Sequence, residues 1–71
     1  MDALFELGIS YSTGRGGIAV DLVEAHKWFN LAALKGSDEA KGWRASIARE
    51  MSSTQISEAQ RLAREWLSIA P

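Results

Sequence analysis

The chain has 71 residues, of which 46% are apolar and 24% charged, a composition that predicts one globular domain rather than a disordered segment. It contains no cysteine, which excludes disulfides and thiolate metal sites, and its net charge of −1 argues against a nucleic-acid or anionic-membrane surface. No apolar run approaches the roughly 18 residues that span a bilayer, and the start, MDALFEL, lacks the basic segment of an export signal. We therefore expect a cytoplasmic protein without a membrane span.

The first predicted helix runs from about Asp2 to Thr13. Its predicted buried face consists of residues at helical spacing, namely Leu4, Leu7, Gly8 and Tyr11. Phe5 and Ile9 lie one turn apart and off that face, and we expect no preceding helix to cover them. We expect Phe5, Ile9 and the neighbouring Ser12 to form an uncovered surface.

Three glycines fall within four residues in the stretch YSTGRGG, Tyr11 to Gly17. A Walker loop requires a preceding strand and a Gly-Lys-Ser/Thr ending, and a dinucleotide fingerprint requires a βαβ unit. Neither context is present, because a helix precedes the glycines and Ile18 follows them. A flexible tether is also disfavoured, since amphipathic helices adjoin both ends of the break. The stretch therefore predicts a tight turn between two antiparallel helices.

The second predicted helix begins at Asp21, an N-cap residue with Glu24 three positions later as in a capping box, and ends at Lys35 and Gly36. One broad apolar face carries Leu22, Ala25, Phe29, Ala32 and Ala33, with Trp28 at its edge. A second apolar set lies on other sides of the helix, namely Val23, Leu31 and Leu34. A helix that is apolar nearly all round is expected between two neighbouring helices.

Two further helices complete the predicted fold. Ser37 is the N-cap of the third helix. Its Gly42 is a candidate for close approach by a neighbouring helix, and its apolar stripe consists of Ala40, Trp43, Ile47, Ala48 and Met51.

Ser52 and Gln55 form a capping box for the fourth helix, which runs to about Ser68. The apolar side of this helix carries Ile56, Ala59, Ala63, Trp66 and Leu67. Arg61 and Glu65 should pair weakly on the surface of this helix. No segment alternates with a period of two, so no sheet is expected.

No constellation of catalytic residues is visible. His26 is the only histidine, and no cysteine or second histidine accompanies it, so we expect a structural residue at the surface or boundary of the domain. The acidic residues Asp38, Glu39 and Glu50 are typical of solvated helix ends. The three tryptophans are predicted to be core residues rather than a ligand cage. We expect no enzymatic activity, no cofactor, no metal and no small-molecule substrate.

The spacing of small and large residues resembles the Sel-1-like repeat, a relative of the tetratricopeptide repeat. The residues that carry the resemblance are Ala3, Leu7, Gly8, Tyr11, Gly14, Gly16, Asp21, Ala25, Trp28, Ala32, Ala33, Gly36 and Ala40. The loop GRGGIAVD is one residue longer than the commonest family form, and Gly42-Trp43-Arg44 does not reproduce the family's Leu-Gly. The resemblance implies one repeat at residues 3–40 and divergent capping helices at 41–71 within a single domain, 1–71.

The resemblance implies an all-α fold, a short α-α superhelix whose four helices form two antiparallel hairpins. It also implies a non-catalytic protein–protein interaction module, an adaptor or scaffold in bacterial assemblies. Because one repeat cannot wrap a long ligand, we expect a small accessory subunit docked on a larger complex. The predicted partner contacts are Phe5, Ile9, Ser12, Arg15, Ile18 and Val20. The alternatives are a homo-oligomer that associates through Phe5 and Ile9, and an enzyme like the antibiotic-binding relatives, which this chain disfavours because those relatives are cysteine-stapled.

Overall fold

A computed structural model describes residues 3–69, and within them the backbone forms four α-helices and no strand. The helices are α1 (Ala3–Thr13), α2 (Leu22–Leu34), α3 (Asp38–Ala48) and α4 (Ser53–Ile69), and a short 3-10 helix at Arg15–Gly17 lies between α1 and α2. The predicted all-α class is confirmed. Asp2, the predicted first residue of the first helix, lies outside the described residues.

The predicted N-caps of α2 and α3 are present. The Asp21 carboxylate accepts hydrogen bonds from the backbone N–H groups of Val23 at 3.1 Å and Glu24 at 3.2 Å. Glu24 does not complete the predicted capping box, because the Asp21 N–H donates to the Tyr11 carbonyl at 2.9 Å; the Glu24 carboxylate pairs with Lys27 at 3.1 Å. At α3, the Ser37 hydroxyl accepts from the Ala40 N–H at 3.2 Å. Both caps satisfy N–H groups that have no partner within the helix.

The capping box of α4 is complete in both directions. The Gln55 N–H donates to the Ser52 hydroxyl at 3.1 Å, and the Ser52 N–H donates to the Gln55 side-chain oxygen at 2.8 Å. Before this box, α3 ends at Ala48 rather than continuing through Met51. Met51 is nevertheless buried, because the turn between α3 and α4 folds it into the core.

Helix α2 is the element on which α1, α3 and α4 all pack. Helix α1 runs antiparallel to it: the Asp21 N–H donates to the Tyr11 carbonyl at 2.9 Å, and at the other end the rings of Phe5 and Phe29 lie 5.8 Å apart. Trp28, the residue before Phe29 on α2, meets Trp66 of α4 edge to face at 6.0 Å. The apolar residues on nearly every side of α2 are explained by these three neighbours.

Gly8 of α1 lies directly against the Phe29 ring of α2. A Cβ atom at Gly8 would lie 2.5 Å from the Phe29 ring, and Phe29 is fully buried. The sequence placed Gly8 on the predicted buried face of the first helix, and Phe29 on the predicted apolar face of the second with Trp28 at its edge. The ring over Gly8 is that of Phe29, and Trp28 packs toward α4.

The buried side of α1 also differs from the prediction. Phe5 and Ile9 are half-buried and pack against the core, together with Leu4 and Tyr11. Leu7 is half-buried on the outer side, where it borders a shallow groove with Ser10. The expectation that Phe5 and Ile9 form an uncovered surface is therefore wrong, because α1 is rotated so that these side chains meet Phe29 and its neighbours.

The outer side of α4 is charged. Arg61 donates to Glu58 at 2.6 Å and pairs with Glu65, which confirms the predicted surface ion pair. The hydrogen bond from Arg61 holds the pKa of Glu58 below its usual value. Leu67, predicted to face inward, is 47% exposed.

Candidate interaction surfaces

The glycine stretch forms the turn that the sequence predicts. Gly14, Gly16 and Gly17 have φ angles of 76°, 74° and 82°, the left-handed region that other residues rarely adopt. The turn is held at both ends, because the Gly14 N–H donates to the Ser10 carbonyl at 2.9 Å and the Asp21 N–H donates to that of Tyr11. Residues 18–20 are therefore presented by a backbone with fixed ends.

Two apolar side chains of this loop face solvent. Ile18 is 37% exposed and Val20 is 58% exposed. Arg15, also exposed, pairs with Glu6 of α1 at 2.7 Å, and the Ser12 hydroxyl donates to the Ile9 carbonyl at 3.0 Å. Of the six predicted contact residues, the structure leaves Arg15, Ile18 and Val20 on the surface.

A second surface feature lies on α3. Trp43 stacks on Phe29 with ring centroids 5.8 Å apart, yet it remains 39% exposed, so its prediction as a core residue is wrong. It borders an open groove of about 390 Å³ whose other walls are Glu39, Gly42 and Ser46. A Cβ atom at Gly42 would have no neighbour within 4 Å, which overturns the expected close approach of a helix there.

Sequence reasoning missed this groove because Ala40, Trp43 and Ile47 share one helical stripe. Ala40 and Ile47 are buried as expected, but Trp43 lies at the margin of that stripe. The sequence signal for the groove was Gly42, the residue before Trp43, together with Glu39, which lies one turn before Trp43 on the same side of α3.

His26 is buried, with 4% of its surface exposed, which corrects its predicted position at the surface or boundary. Burial lowers the pKa of His26 below its ordinary value of 6.5, and the charge of Arg44 lowers it further. Arg44 itself donates to the Asn30 side chain at 2.6 Å and so joins α3 to α2. Within residues 3–69, no side chain forms a hydrogen bond with the Nδ1 atom of His26.

Two further classes of site are absent from the described part of the chain. No group of three or more histidine, acidic or cysteine residues there is placed to hold a metal ion. None of the four helices, taken over residues 3–69, is both long and apolar enough to cross a membrane.

The family model for the Sel1 repeat matches residues 2–37 and again residues 53–70, which together make up more than half of the chain. The chain belongs to the Sel1 repeat family. The resemblance stated from the sequence is thus confirmed, and Sel1 repeats are helical-hairpin solenoid units. Sel1 repeats are generally protein–protein interaction modules.

The two matches divide the helices unevenly. The first covers α1, the glycine turn and α2, and the second coincides with α4. The second match lies in the segment 41–71 that the sequence analysis assigned to divergent capping helices, and the role of that segment as a cap remains a prediction. Neither the curated proteins nor the solved structures gave a match.

Proposed function

We propose that this Sel1 repeat protein is a small non-catalytic adaptor or accessory subunit that docks on a larger bacterial protein complex in the cytoplasm. The observation that carries the proposal is the pair of exposed apolar side chains, Ile18 and Val20, on a loop whose two ends are hydrogen-bonded to α1. A loop with fixed ends loses less conformational entropy on binding than a free one, so less of the favourable energy of its apolar contacts is offset by ordering.

The proposed contact surface consists of Ile18 and Val20 at its centre with Arg15 at its edge. An apolar centre and a charged rim are the usual anatomy of a protein interface. Arg15 is held beside the loop by Glu6, and its guanidinium is still half exposed. Phe5 and Ile9 contribute indirectly, because they are half-buried and anchor α1 to the core.

The test is affinity purification of the tagged protein from its own organism, followed by mass determination of the intact complex. The double variant Ile18→Glu/Val20→Glu places two charges at the centre of the proposed surface and should abolish recovery of the partner. Leu34→Glu is the matched control, because Leu34 is 64% exposed at the end of α2 and lies outside the loop. Equal recovery with both variants, each shown to be folded by circular dichroism, would contradict the proposal.

Self-association is the second candidate, and exposed apolar residues at the end of α4 favour it. Leu67 is 47% exposed and Ile69 is 81% exposed, so this end of the helix could pair with a second copy. The Phe5 and Ile9 side chains are engaged in the core and do not supply such a patch. A mass in solution that rises with concentration and returns to that of a monomer in Leu67→Glu/Ile69→Glu would establish this alternative.

A further inference from the structure

We infer that the groove beside Trp43 on α3 is a docking site for an arginine side chain of a partner protein. The inference rests on the proposed role as an interaction module, but it concerns a surface separate from the Ile18 and Val20 loop and names the chemistry of the group bound there. It follows from three properties of the groove: its shape, its aromatic wall and its charge.

The shape suits a side chain rather than a cofactor. The residues that line the groove, Glu39, Gly42, Trp43 and Ser46, are all exposed. Small-molecule sites bury most of their ligand, and a groove with four exposed walls cannot. Gly42 has open space where a side chain would stand, so a long side chain from another protein can lie across α3 at that point.

The aromatic wall is a fixed indole. One side of Trp43 stacks on Phe29 with 27° between the ring planes, and Phe29 is fully buried between α1 and α3, so the indole has a rigid support. The exposed part of Trp43 borders the groove. Cations are attracted to the face of an indole, and a planar guanidinium stacks on it better than an ammonium group does.

The charge of the groove is a single unpaired carboxylate. Glu39 lies one turn before Trp43, and its carboxylate forms no hydrogen bond or ion pair with any residue of the described range 3–69. The nearest cations on α3 are engaged elsewhere, since Lys41 pairs with Asp38 at 3.5 Å and Arg44 donates to Asn30. An arginine in the groove can therefore stack on Trp43 and donate to Glu39 at the same time.

The experiment titrates the full chain with the peptide acetyl-Gly-Arg-Gly-amide and follows the indole N–H signals of the three tryptophans by NMR. Trp43→Phe assigns the signal of Trp43. We expect a saturable shift of that signal alone, with the Trp28 and Trp66 signals unchanged. The same peptide with lysine should bind more weakly, and the peptide with leucine should cause no saturable shift.

Variants distinguish binding of the peptide in the groove from its general electrostatic attraction to the protein. Glu39→Gln should weaken arginine-peptide binding by roughly two- to fivefold, whereas Glu50→Gln, which removes the same charge from an exposed turn, should leave it unchanged. Gly42→Leu fills the groove and should abolish the shift, and the open space at Gly42 lets this variant fold. Equal binding of the leucine or lysine peptide, an unaltered affinity in Glu39→Gln, or a shift that persists in folded Gly42→Leu would overturn the inference. Because no partner is present in this titration, such a failure leaves the purification experiment on the loop variants unaffected.

Discussion

Gly8→Ala is the substitution whose effect the structure determines most sharply. The new methyl group would lie 2.5 Å from two atoms of the Phe29 ring and 3.0 Å from a third. The ring cannot move to solvent, because it is fully buried and has Phe5 and Trp43 on either side, each with its ring centroid 5.8 Å away. Overpacking of a core costs about 1–3 kcal/mol, and a site this confined belongs in the upper half of that range.

The same substitution has a favourable contribution from helix propensity. Alanine in a helix interior is more stable than glycine by about 0.8–1 kcal/mol. The expected net loss for Gly8→Ala is therefore about 1–2 kcal/mol in the free energy of unfolding, or roughly 5–15 °C in the melting temperature of a domain of this size. Urea-induced unfolding followed by tryptophan fluorescence measures this loss.

Gly42→Ala is the matched control. It makes the same chemical change in the interior of α3, where a Cβ atom has no neighbour within 4 Å, so it should raise the free energy of unfolding by up to about 1 kcal/mol. In a Phe29→Leu background, where the ring is absent, most of the cost of Gly8→Ala should disappear. If Gly8→Ala stabilises the protein as Gly42→Ala does, the proposed contact between Gly8 and the Phe29 ring is refuted.

Three further predictions follow from individual residues. Because the pKa of His26 is lowered in the folded state, the unfolded chain takes up a proton first as the pH falls through 6.5, so the free energy of unfolding should be full above that pH and decline below it until the folded-state pKa is passed. Urea unfolding between about pH 5 and 7.5, above the ordinary range of carboxyl groups, should show this decline in the parent protein and not in His26→Gln, and a decline of equal slope in the variant would contradict the assignment. Asp21→Ala removes the acceptor for two N–H groups and should cost about 1 kcal/mol, whereas Asp21→Asn, which keeps an acceptor, should melt close to the parent protein; equal melting temperatures for the two variants would argue against the cap. Trp43→Phe should remove most of the fluorescence that acrylamide quenches readily, because Trp28 and Trp66 are less exposed than Trp43, and an unchanged quenching constant would show that Trp43 is not the exposed indole.

Local features of the chain were predictable because they depend on neighbouring residues. The caps at Asp21, Ser37 and Ser52 and the glycine turn require only hydrogen bonds or backbone angles within a few positions. The predicted extent of the third helix was wrong because of a tertiary contact. Helix α3 ends at Ala48, and the turn that follows it folds Met51 into the core. The candidate site was predictable in part, since the loop residues Ile18 and Val20 are exposed as expected.

The rotation of each helix about its own axis could not be read from periodicity. On α1, the spacing of Leu4, Leu7 and Tyr11 is as regular as that of Phe5 and Ile9, and both sets fit an apolar stripe. The structure places members of both sets against the core, with the Phe29 ring over the bare backbone of Gly8. Leu4, Phe5, Ile9 and Tyr11 all pack inward, and Leu7 borders the outer groove.

The sequence alone determined the four helices, their caps, the glycine turn and the membership of the Sel1 repeat family, because each of these is encoded by short-range spacing. Only the tertiary structure decided that His26 is buried, that Trp43 is exposed beside Gly42, and that α2 is shared by three neighbours. The physical reason is that burial depends on which helix packs over a residue. His26 and Trp43 lie at the margins of their apolar stripes, where a small rotation of the helix moves a side chain from the core to the solvent or the reverse.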